Sequence, residues 1–275
     1  MTADHTVADQ APLDQRVRAI DWYHTIELGP GVVTPGWLDH RPVLDRIPLP
    51  ASLAGQRCLD IGTFNGFWAF EMERRGAAEV VALDVLDPRR WDWPVGSDEA
   101  AVAALSERMA EGNGFEIARQ ALGSEVERID QSVYDLDPDQ LGRFDVVYLG
   151  SLLIHLRDPV RALERIRSVC AGTLVVVDGI DLPQSLRHPR LPVARLDGRG
   201  RPWWWYPNIS GLAQLVQAGG FEIVQPPRRL FVPPGAGWPV RRFDPRALQT
   251  QAGRYVTIVA WLGDPHASLV ARPAH

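Results

Sequence analysis

The 275-residue sequence predicts an α/β protein with a doubly wound, mostly parallel sheet. Two observations lead to this prediction: short apolar runs alternate with amphipathic helical segments, and glycine turns separate them. A third is size, because 45% hydrophobic residues in a chain of this length suffice for one sizeable core. Strands that alternate with helices form a sheet with helices packed on both faces.

The first strand–helix–strand unit of the predicted sheet begins at Gln56. Residues 56–62 form a short apolar run that ends in a glycine, residues 66–75 have helical apolar spacing, and residues 79–84 form a second apolar run. Two strands joined through a helix with such short connections pair in parallel with a right-handed crossover. This unit therefore sets the direction of the sheet.

The same alternation continues to the end of the chain. Asn208 or Ser210 caps the last predicted helix, and Gly219 and Gly220 stop it. The proline-containing segment 226–252 is predicted to be a long connection. The predicted elements are strands over 125–130, 144–149, 173–178, 221–224 and 254–261, and helices over 159–169 and 208–218.

The sequence predicts one main domain with additions. Residues 1–50 are predicted to be an N-terminal extension whose helices form a lid, and residues 51–275 the main domain. Within it, residues at about 180–207 are rich in proline, arginine and tryptophan, and we expect them to form an insertion over the sheet edge. No internal repeat is visible.

Composition limits the function classes. A formal charge of −5 and a pI near 5.8 give the chain no general attraction for nucleic acid. The first sixteen residues are polar and acidic, unlike a signal peptide or a membrane helix. Cys58 and Cys170 lie in apolar runs without paired spacing, and the seven histidines are scattered. We therefore expect a soluble cytoplasmic protein without disulfides or a metal site, of unknown oligomeric state.

The first strand delivers a glycine-containing loop to the carboxyl edge of the sheet, where ligands of doubly wound proteins bind. Gly62 and Gly66 let the backbone approach a nucleoside, and Asp60 can accept hydrogen bonds from a cationic amine. Asp84 ends the second strand roughly 20 residues further on, where an acid can hold ribose hydroxyls. A nicotinamide dinucleotide site would need G-x-G-x-x-G, which this loop lacks. Glycines after strands can also be simple turns.

The run from Leu59 to Phe67, LDIGTFNGF, resembles motif I of the class I S-adenosylmethionine-dependent methyltransferases, usually L-D-x-G-x-G-x-G. Phe64 replaces the middle glycine, which implies a tighter loop against the methionine part of the ligand. The resemblance implies the Rossmann-like fold of that class and S-adenosyl-L-methionine as cofactor. The predicted cofactor contacts are Asp60, Gly62, Thr63, Asn65, Gly66, Phe67, Asp84, Val85, Ser132, Val133 and Gly150.

A narrower resemblance links three segments, 21–26, 148–159 and 206–208, to the tRNA wobble-uridine transferases and their small-molecule methyltransferase relatives. It covers roughly residues 20–225. The tRNA members use carboxy-S-adenosylmethionine and hold its carboxylate partly with a tyrosine before a family histidine. Here that position is Ile154, which favours ordinary S-adenosylmethionine. Arg254 falls near a carboxylate-binding arginine of those enzymes, so the alternative stays open.

Two histidines are candidate catalytic bases. Methyl transfer is an in-line displacement that requires alignment, exclusion of water and sometimes removal of a proton. His155 follows the fourth strand of the predicted sheet, and His24 lies on a segment expected to fold over the site; histidine suits proton removal near neutral pH. The alternative for His155 is a packing role at the start of a helix.

The ten tryptophans suit a dry acceptor pocket, stacking on a planar substrate or a cation–π contact with the sulfonium, and some of them are expected to pack in the core. Neighbouring tryptophans cannot share one face, so one of the three at 203–205 is expected to touch substrate. Trp68 is expected to pack in the core. The arginines between 187 and 201 suit either RNA phosphates or a solvated loop. The predicted substrate contacts are Trp22, Tyr23, Trp203, Trp204, Trp205, Tyr206 and Arg254.

The leading hypothesis is a small-molecule methyltransferase that acts on oxygen or nitrogen, with a natural product or a sugar as acceptor. The second is a tRNA wobble-uridine modifying enzyme. A third is a catalytically silent protein that binds the nucleoside or a partner.

Overall fold

The structure, a computed structural model, describes residues 11–111, 113–238, 246 and 249–274. The strands are β1 (Glu27–Gly29), β2 (Val32–Val33), β3 (Arg57–Ile61), β4 (Glu79–Asp84), β5 (Glu127–Asp130), β6 (Phe144–Gly150), β7 (Cys170–Gly179), β8 (Ala194–Leu196), β9 (Trp205–Pro207), β10 (Phe221–Val232) and β11 (Asp264–Pro273). The α-helices are α1 (Leu13–Arg18), α2 (Phe67–Arg74), α3 (Glu99–Glu111), α4 (Gly114–Leu122), α5 (Pro138–Leu141), α6 (Pro159–Val169), α7 (Leu182–Arg187), α8 (Ile209–Ala218) and α9 (Gln251–Leu262).

The central sheet has seven strands in the order β10-β11-β7-β6-β3-β4-β5. Strands β3 to β7 are parallel, β11 runs antiparallel to β7, and β10 runs antiparallel to β11. Alternate residues of β4 enter two separate cores: Val80 and Ala82 face one, and Val81 and Leu83 face the other. Strands buried on both faces read as continuous apolar runs. The predicted α/β, mostly parallel architecture is confirmed.

The helices that frame the sheet begin at side-chain caps. Asp158 accepts a hydrogen bond from the Arg161 amide at 3.0 Å and starts α6. Asn208, rather than Ser210, starts α8 by accepting from the Gly211 amide at 2.7 Å. Such caps satisfy donors that the first helical turn leaves free. The predicted helices over 159–169 and 208–218 are confirmed within one residue.

The predicted strand over 254–261 is wrong, because these residues lie in α9. Thr250 caps the helix by accepting from the Gly253 amide at 3.0 Å, and Gly263, at φ +87°, ends it. The position beside β7 is filled by β11, which pairs with β7 and β10. β-branched and aromatic residues favour strands only weakly, so tertiary pairing decided this segment.

The predicted connection over 226–252 is wrong in its first part, because β10 extends through Pro226 and Pro227 to Val232. β10 is an edge strand, and its register with β11 shifts between Ile223 and Gln225 and again before Arg228. Proline is tolerated at edges and bulges because no ladder hydrogen bond is lost there. Residues 239–245 and 247–248 lie outside the described part.

The N-terminal segment, residues 11–50, packs on the main domain. It contains α1, the β1–β2 hairpin and a 3₁₀ turn at Arg41–Arg46, and residues 1–10 lie outside the described range. Trp22 and Leu38 belong to the same core as Val80. The segment of about residues 180–207, which the sequence predicts to be an insertion, contains α7 and the antiparallel β8–β9 hairpin.

Candidate functional site

The glycine loop, residues 62–66, follows β3 at the carboxyl edge of the sheet. Gly62, Phe64 and Gly66 all have left-handed backbone, with φ of +77°, +47° and +90°. A Cβ at Gly66 would lie 2.5 Å from the Phe70 ring, so this glycine is needed for packing against α2. Phe64, at the position of the usual middle glycine, keeps a conformation that side chains rarely adopt.

Asp60 lies beneath the glycine loop and is 2% exposed. Its carboxylate accepts a hydrogen bond from the Ala69 amide of α2 at 3.1 Å, and burial raises the pKa of Asp60 to about 7. The side chain therefore holds α2 against the loop. Thr63 is buried beside it.

Asp84, at the end of β4, has a side chain that is 15% exposed. Its two oxygens accept hydrogen bonds from the Phe64 and Val85 amides, each at 2.8 Å. Arg128 lies 4.0 Å away, and burial raises the pKa of Asp84. A carboxylate has about four acceptor positions, so two stay available for a pair of ligand hydroxyls.

Other predicted cofactor residues line the same edge. The Gln131 amide donates to the Asp84 carbonyl, which brings the residues after β5 beside Asp84. There Ser132 caps a 3₁₀ turn and Val133 is buried. Gly150 ends β6, the strand next to β3, and its neighbour Leu152 packs against Gly62.

Asn65 joins the glycine loop to the N-terminal segment. Its side-chain oxygen accepts hydrogen bonds from the Tyr23 amide at 2.8 Å and the His24 amide at 3.3 Å. The Tyr23 ring contacts Phe64 edge-on at 5.9 Å between centroids. Asn65 therefore anchors Tyr23 over the loop. Trp22 lies elsewhere, 1% exposed in the core, with its indole N–H donating to the Val17 carbonyl.

His24 lies in a buried aromatic cluster rather than in an open crevice. It stacks on Phe67 with centroids 5.8 Å apart and lies 5.4 Å from the His40 ring. Burial lowers the pKa of His24 to about 3 and that of His40 well below its usual range. The cluster continues through Trp68, which stacks on Tyr148 at 4.4 Å. Both histidines are thus neutral near pH 7.

His155 lies in the 3₁₀ turn after β6 and is held by the insertion. Its Nδ1 is 2.7 Å from the Pro202 carbonyl, which can only accept, so Nδ1 carries the hydrogen and Nε2 keeps its lone pair. Burial lowers the pKa of His155, and the charge of Arg201 lowers it further, against the opposing effect of the Pro202 hydrogen bond. The imidazole is therefore neutral.

The insertion directs one tryptophan toward an aromatic group. The Trp203 ring lies 6.3 Å from His155, 5.7 Å from Tyr206 and 5.9 Å from Tyr255 of α9. Its two neighbours are engaged elsewhere through their indole N–H groups, Trp204 with the Asp92 carbonyl and Trp205 with the Arg157 carbonyl. Trp203 is thus the one of the three that faces His155 and Tyr255.

The arginines singled out in the sequence lie at the surface or in ion pairs. Arg254 is exposed on α9. Arg195 and Arg201 of the insertion each pair with an aspartate at 3.1 Å, Asp181 and Asp197 respectively. Among the described residues, no group of three or more His, Cys, Asp or Glu could hold a metal ion. The described helices include none long and apolar enough to cross a membrane.

A polar network after β6 was missed by sequence reasoning. The Ser151 hydroxyl lies 3.0 Å from His266 Nε2, and His266 Nδ1 lies 3.1 Å from the Asp264 carbonyl. Asp178, at the end of β7, accepts from the Leu152 and Leu153 amides. Asp178 ended a predicted strand, which was an available signal; His266 gave none because no strand was predicted over residues 264–273.

Comparisons with known proteins define the family. The family model described as "Methyltransferase domain" matches residues 39–226. The tRNA U34 carboxymethyltransferase of Dichelobacter nodosus is 26% identical over 178 residues, covering 62% of this chain and 47% of that protein. The same enzyme of Ectopseudomonas mendocina is 24% identical over 181 residues, covering 66% and 49%. The chain thus spans about half the length of these curated relatives.

Among solved structures, a complex of the Trm112 methyltransferase activator and a methyltransferase from Haloferax volcanii gives a TM-score of 0.51 at 14% identity, covering 86% of this chain and 88% of that one. That likeness concerns the fold. Because the family model matches more than half of the sequence, the chain belongs to the methyltransferase domain family. It is a class I S-adenosylmethionine-dependent methyltransferase by family and fold, and S-adenosylmethionine is the cofactor of this class.

Proposed function

We propose that the protein transfers a methyl group from S-adenosylmethionine to an oxygen or nitrogen of a small molecule. The observation that carries this proposal is the contact between Trp203 of the insertion and Tyr255 of α9, 5.9 Å apart, beside His155. These rings form a wall from two distant parts of the chain. An aromatic wall suits an enclosed organic acceptor, such as a natural product or a sugar, better than a polyanion.

The cofactor side fits a nucleoside. Asp84 retains two acceptor positions beside the loops after β3 and β5, which suits a pair of ribose hydroxyls. The left-handed backbone of Gly62 keeps side-chain bulk away from the crevice. When bound, the cofactor supplies an electrophilic methyl group on a sulfonium. Asp84, Val85 and the residues 132–133 would hold its nucleoside.

The acceptor side supplies orientation and exclusion of water. Tyr23, held over the glycine loop by Asn65, and Trp203 supply apolar surface on the N-terminal segment and on the insertion. The neutral His155 offers its Nε2 lone pair as a hydrogen-bond acceptor for the substrate. Positioning a bound acceptor in line with the methyl group removes a large part of the activation free energy of methyl transfer.

Calorimetry with S-adenosylmethionine and S-adenosylhomocysteine tests the cofactor site first. Release of S-adenosylhomocysteine in the presence of a panel of phenols, catechols, sugars and amines then tests the reaction. We expect both ligands to bind and at least one acceptor class to raise product release. Absence of binding at millimolar cofactor contradicts the proposal, and binding without turnover on any acceptor indicates a silent nucleoside-binding protein.

Modification of tRNA is a second candidate, favoured by the similarity to the tRNA U34 carboxymethyltransferases. Three observations weigh against it. Arg195 and Arg201 are paired with aspartates, and the net charge is −5. Ile154, which lies beside Gly179, cannot donate a hydrogen bond to the extra carboxylate of the cofactor that the tRNA enzymes use. A tRNA gel shift at low and high salt decides between the candidates, since phosphate binding is strongly salt-dependent. Salt-sensitive retention of tRNA supports the second candidate, and free tRNA at low salt contradicts it.

We also propose a cytoplasmic location, because the free thiols of Cys58 and Cys170 suit a reducing compartment.

A further inference from the structure

The turn after β6 holds a serine in an unusual backbone conformation. Ser151 has φ of +51°, one of two non-glycine residues with positive φ among those described. Its position follows from its neighbours, since Gly150 ends β6 and Leu152 packs against Gly62 of the glycine loop. Ser151 thus lies between the end of β6 and a residue that contacts the glycine loop. Strained residues of this kind are frequent at functional sites.

The partner of this serine comes from the last strand of the chain. Ser151 Oγ lies 3.0 Å from Nε2 of His266, and the imidazole is 2% exposed. His266 Nδ1 is 3.1 Å from the Asp264 carbonyl, which can only accept a hydrogen bond, so Nδ1 carries the hydrogen. In the neutral ring Nε2 therefore accepts the Ser151 proton, which is the arrangement of a hydroxyl paired with its base.

An acidic side chain lies beside His266. A carboxylate oxygen of Asp264 lies 3.9 Å from Nδ1 of His266, and Asp178 lies on the adjacent strand β7. At His155 the charged neighbour is Arg201, which disfavours a second positive charge. His266 therefore has a carboxylate near Nδ1 and the Ser151 hydroxyl at Nε2, whereas His155 has a cation beside it.

We infer that Ser151 and His266 form a proton relay that takes the proton from the methyl acceptor. This inference rests on the proposed function. The acceptor's O–H or N–H bond breaks as its proton passes to Ser151 Oγ, and the serine's own proton passes to His266 Nε2. The acceptor's electron pair forms the bond to the methyl group, and the methyl–sulfur bond breaks with its electrons on sulfur. Ser151 is the catalytic residue and His266 its positioning residue.

A hydrolytic role for the same groups does not fit. A serine nucleophile needs nearby amides aimed at a developing oxyanion. Here the amides of Leu152 and Leu153 both donate to one oxygen of Asp178, at 2.9 and 2.8 Å. The donors that follow Ser151 are therefore already used, which leaves the serine a proton-transfer role.

The pair can be tested without knowing the acceptor. In Ser151→Cys, a thiol beside Nε2 is expected to ionise at a pH at least about one unit below the ordinary value near 8.5. The measurement is the pH dependence of alkylation by iodoacetamide, located by peptide mass mapping. The control is Ser97→Cys, since Ser97 is also partly buried but donates to the Pro94 carbonyl instead of a histidine.

The double variant Ser151→Cys with His266→Gln is expected to alkylate with the pH dependence of the Ser97→Cys control. An ordinary ionisation of the Ser151→Cys thiol, or no alkylation of it, overturns the inference, because an acceptor must reach this atom. If the His266 variant fails to fold, the comparison of the two single cysteine variants still decides.

Kinetics with an active acceptor then test the role. We expect Ser151→Gly, which relieves the left-handed strain, to lower kcat by about 10²-fold with little change in KM or cofactor affinity. Raising the pH should restore much of the loss for a hydroxyl acceptor, because the acceptor then ionises unaided. The titratable groups that face the pair are Asp264, Asp178, Tyr23 and His40; burial raises the pKa of the first three and lowers that of His40.

Ser268→Ala is the matched control, since Ser268 lies on the same face of β11 and is buried. Wild-type turnover in Ser151→Gly overturns the relay. Failure of the wild-type chain to bind S-adenosylmethionine would instead contradict the proposed function, while the cysteine ionisation would still report on the pair.

Discussion

The two sides of the crevice are assembled over very different sequence distances. On the cofactor side, Asp84 accepts from the Phe64 amide 20 residues away, within one strand–helix–strand unit. On the acceptor side, Ser151 meets His266 across 115 residues, and Trp204 meets Asp92 across 112. A local site depends on a motif, whereas a distant one depends on the register of the whole sheet. The two sides should therefore respond differently to substitution.

The largest expected effect falls on the cofactor side. Asp84→Ala removes the carboxylate that we propose holds the nucleoside, and we expect the affinity for S-adenosylmethionine to fall by about 2 kcal/mol, roughly 30-fold. Calorimetry measures this directly, with Asp84→Asn as a variant that retains shape and part of the hydrogen bonding. An unchanged affinity in Asp84→Ala would contradict the assignment of the ribose contact.

The pH dependence of stability should have opposite signs on the two sides. The pKa of Asp60 is raised to about 7, so its contribution to stability is full below pH 3.8 and is lost as the pH rises to 7. The pKa of His24 is lowered to about 3, so the unfolded chain binds an extra proton below pH 6.5 and stability falls toward pH 3. Each slope reaches at most about 1.4 kcal/mol per pH unit.

These slopes oppose one another between pH 4 and 6.5 in the wild-type chain. Asp60→Asn should make stability rise more steeply with pH, and His24→Leu should make it fall. Urea unfolding at half-unit pH intervals measures both slopes. Identical slopes in the two variants would contradict the pKa shifts assigned to Asp60 and His24.

A smaller effect is expected where the two sides join. Asn65→Ala leaves the amides of Tyr23 and His24 without their acceptor, which should cost about 1 kcal/mol of unfolding free energy. Hydrogen exchange of these two amides should accelerate. Asn113→Ala, which removes the cap of α4, serves as control, since it should lower stability without exposing them. Equal protection in both variants would refute the anchoring role.

The smallest expected effect is that of His155→Ala. Loss of one neutral hydrogen bond to the acceptor should raise its KM by about fivefold, since such a bond contributes about 1 kcal/mol. Cofactor affinity and kcat should change little, with His188→Ala as control. A fall in kcat as large as that expected for Ser151→Gly would transfer the proton-accepting role to His155.

The sequence predicted the local half of this protein well. The run from Leu59 to Phe67 and the strand ending at Asp84 lie as expected, because strands buried on both faces must be continuously apolar and tight turns require glycine. Helix α6 was predicted to the residue from its amphipathic apolar spacing. The roles of individual residues were less predictable: Asn65 binds the N-terminal segment, and Trp22 lies in the core.

Only the tertiary structure decided the acceptor side. Residues 254–261 have the composition of a strand yet form a helix, because β11 fills the place beside β7. With residues 254–261 in a helix and β11 beside β7, His266 lies next to Ser151 and Tyr255 lies next to Trp203. Pairings across more than a hundred residues leave no periodic pattern in the sequence, because they depend on which strand lies beside which in the sheet. Local sequence therefore determined where the cofactor side lies, and sheet pairing determined which side chains face it.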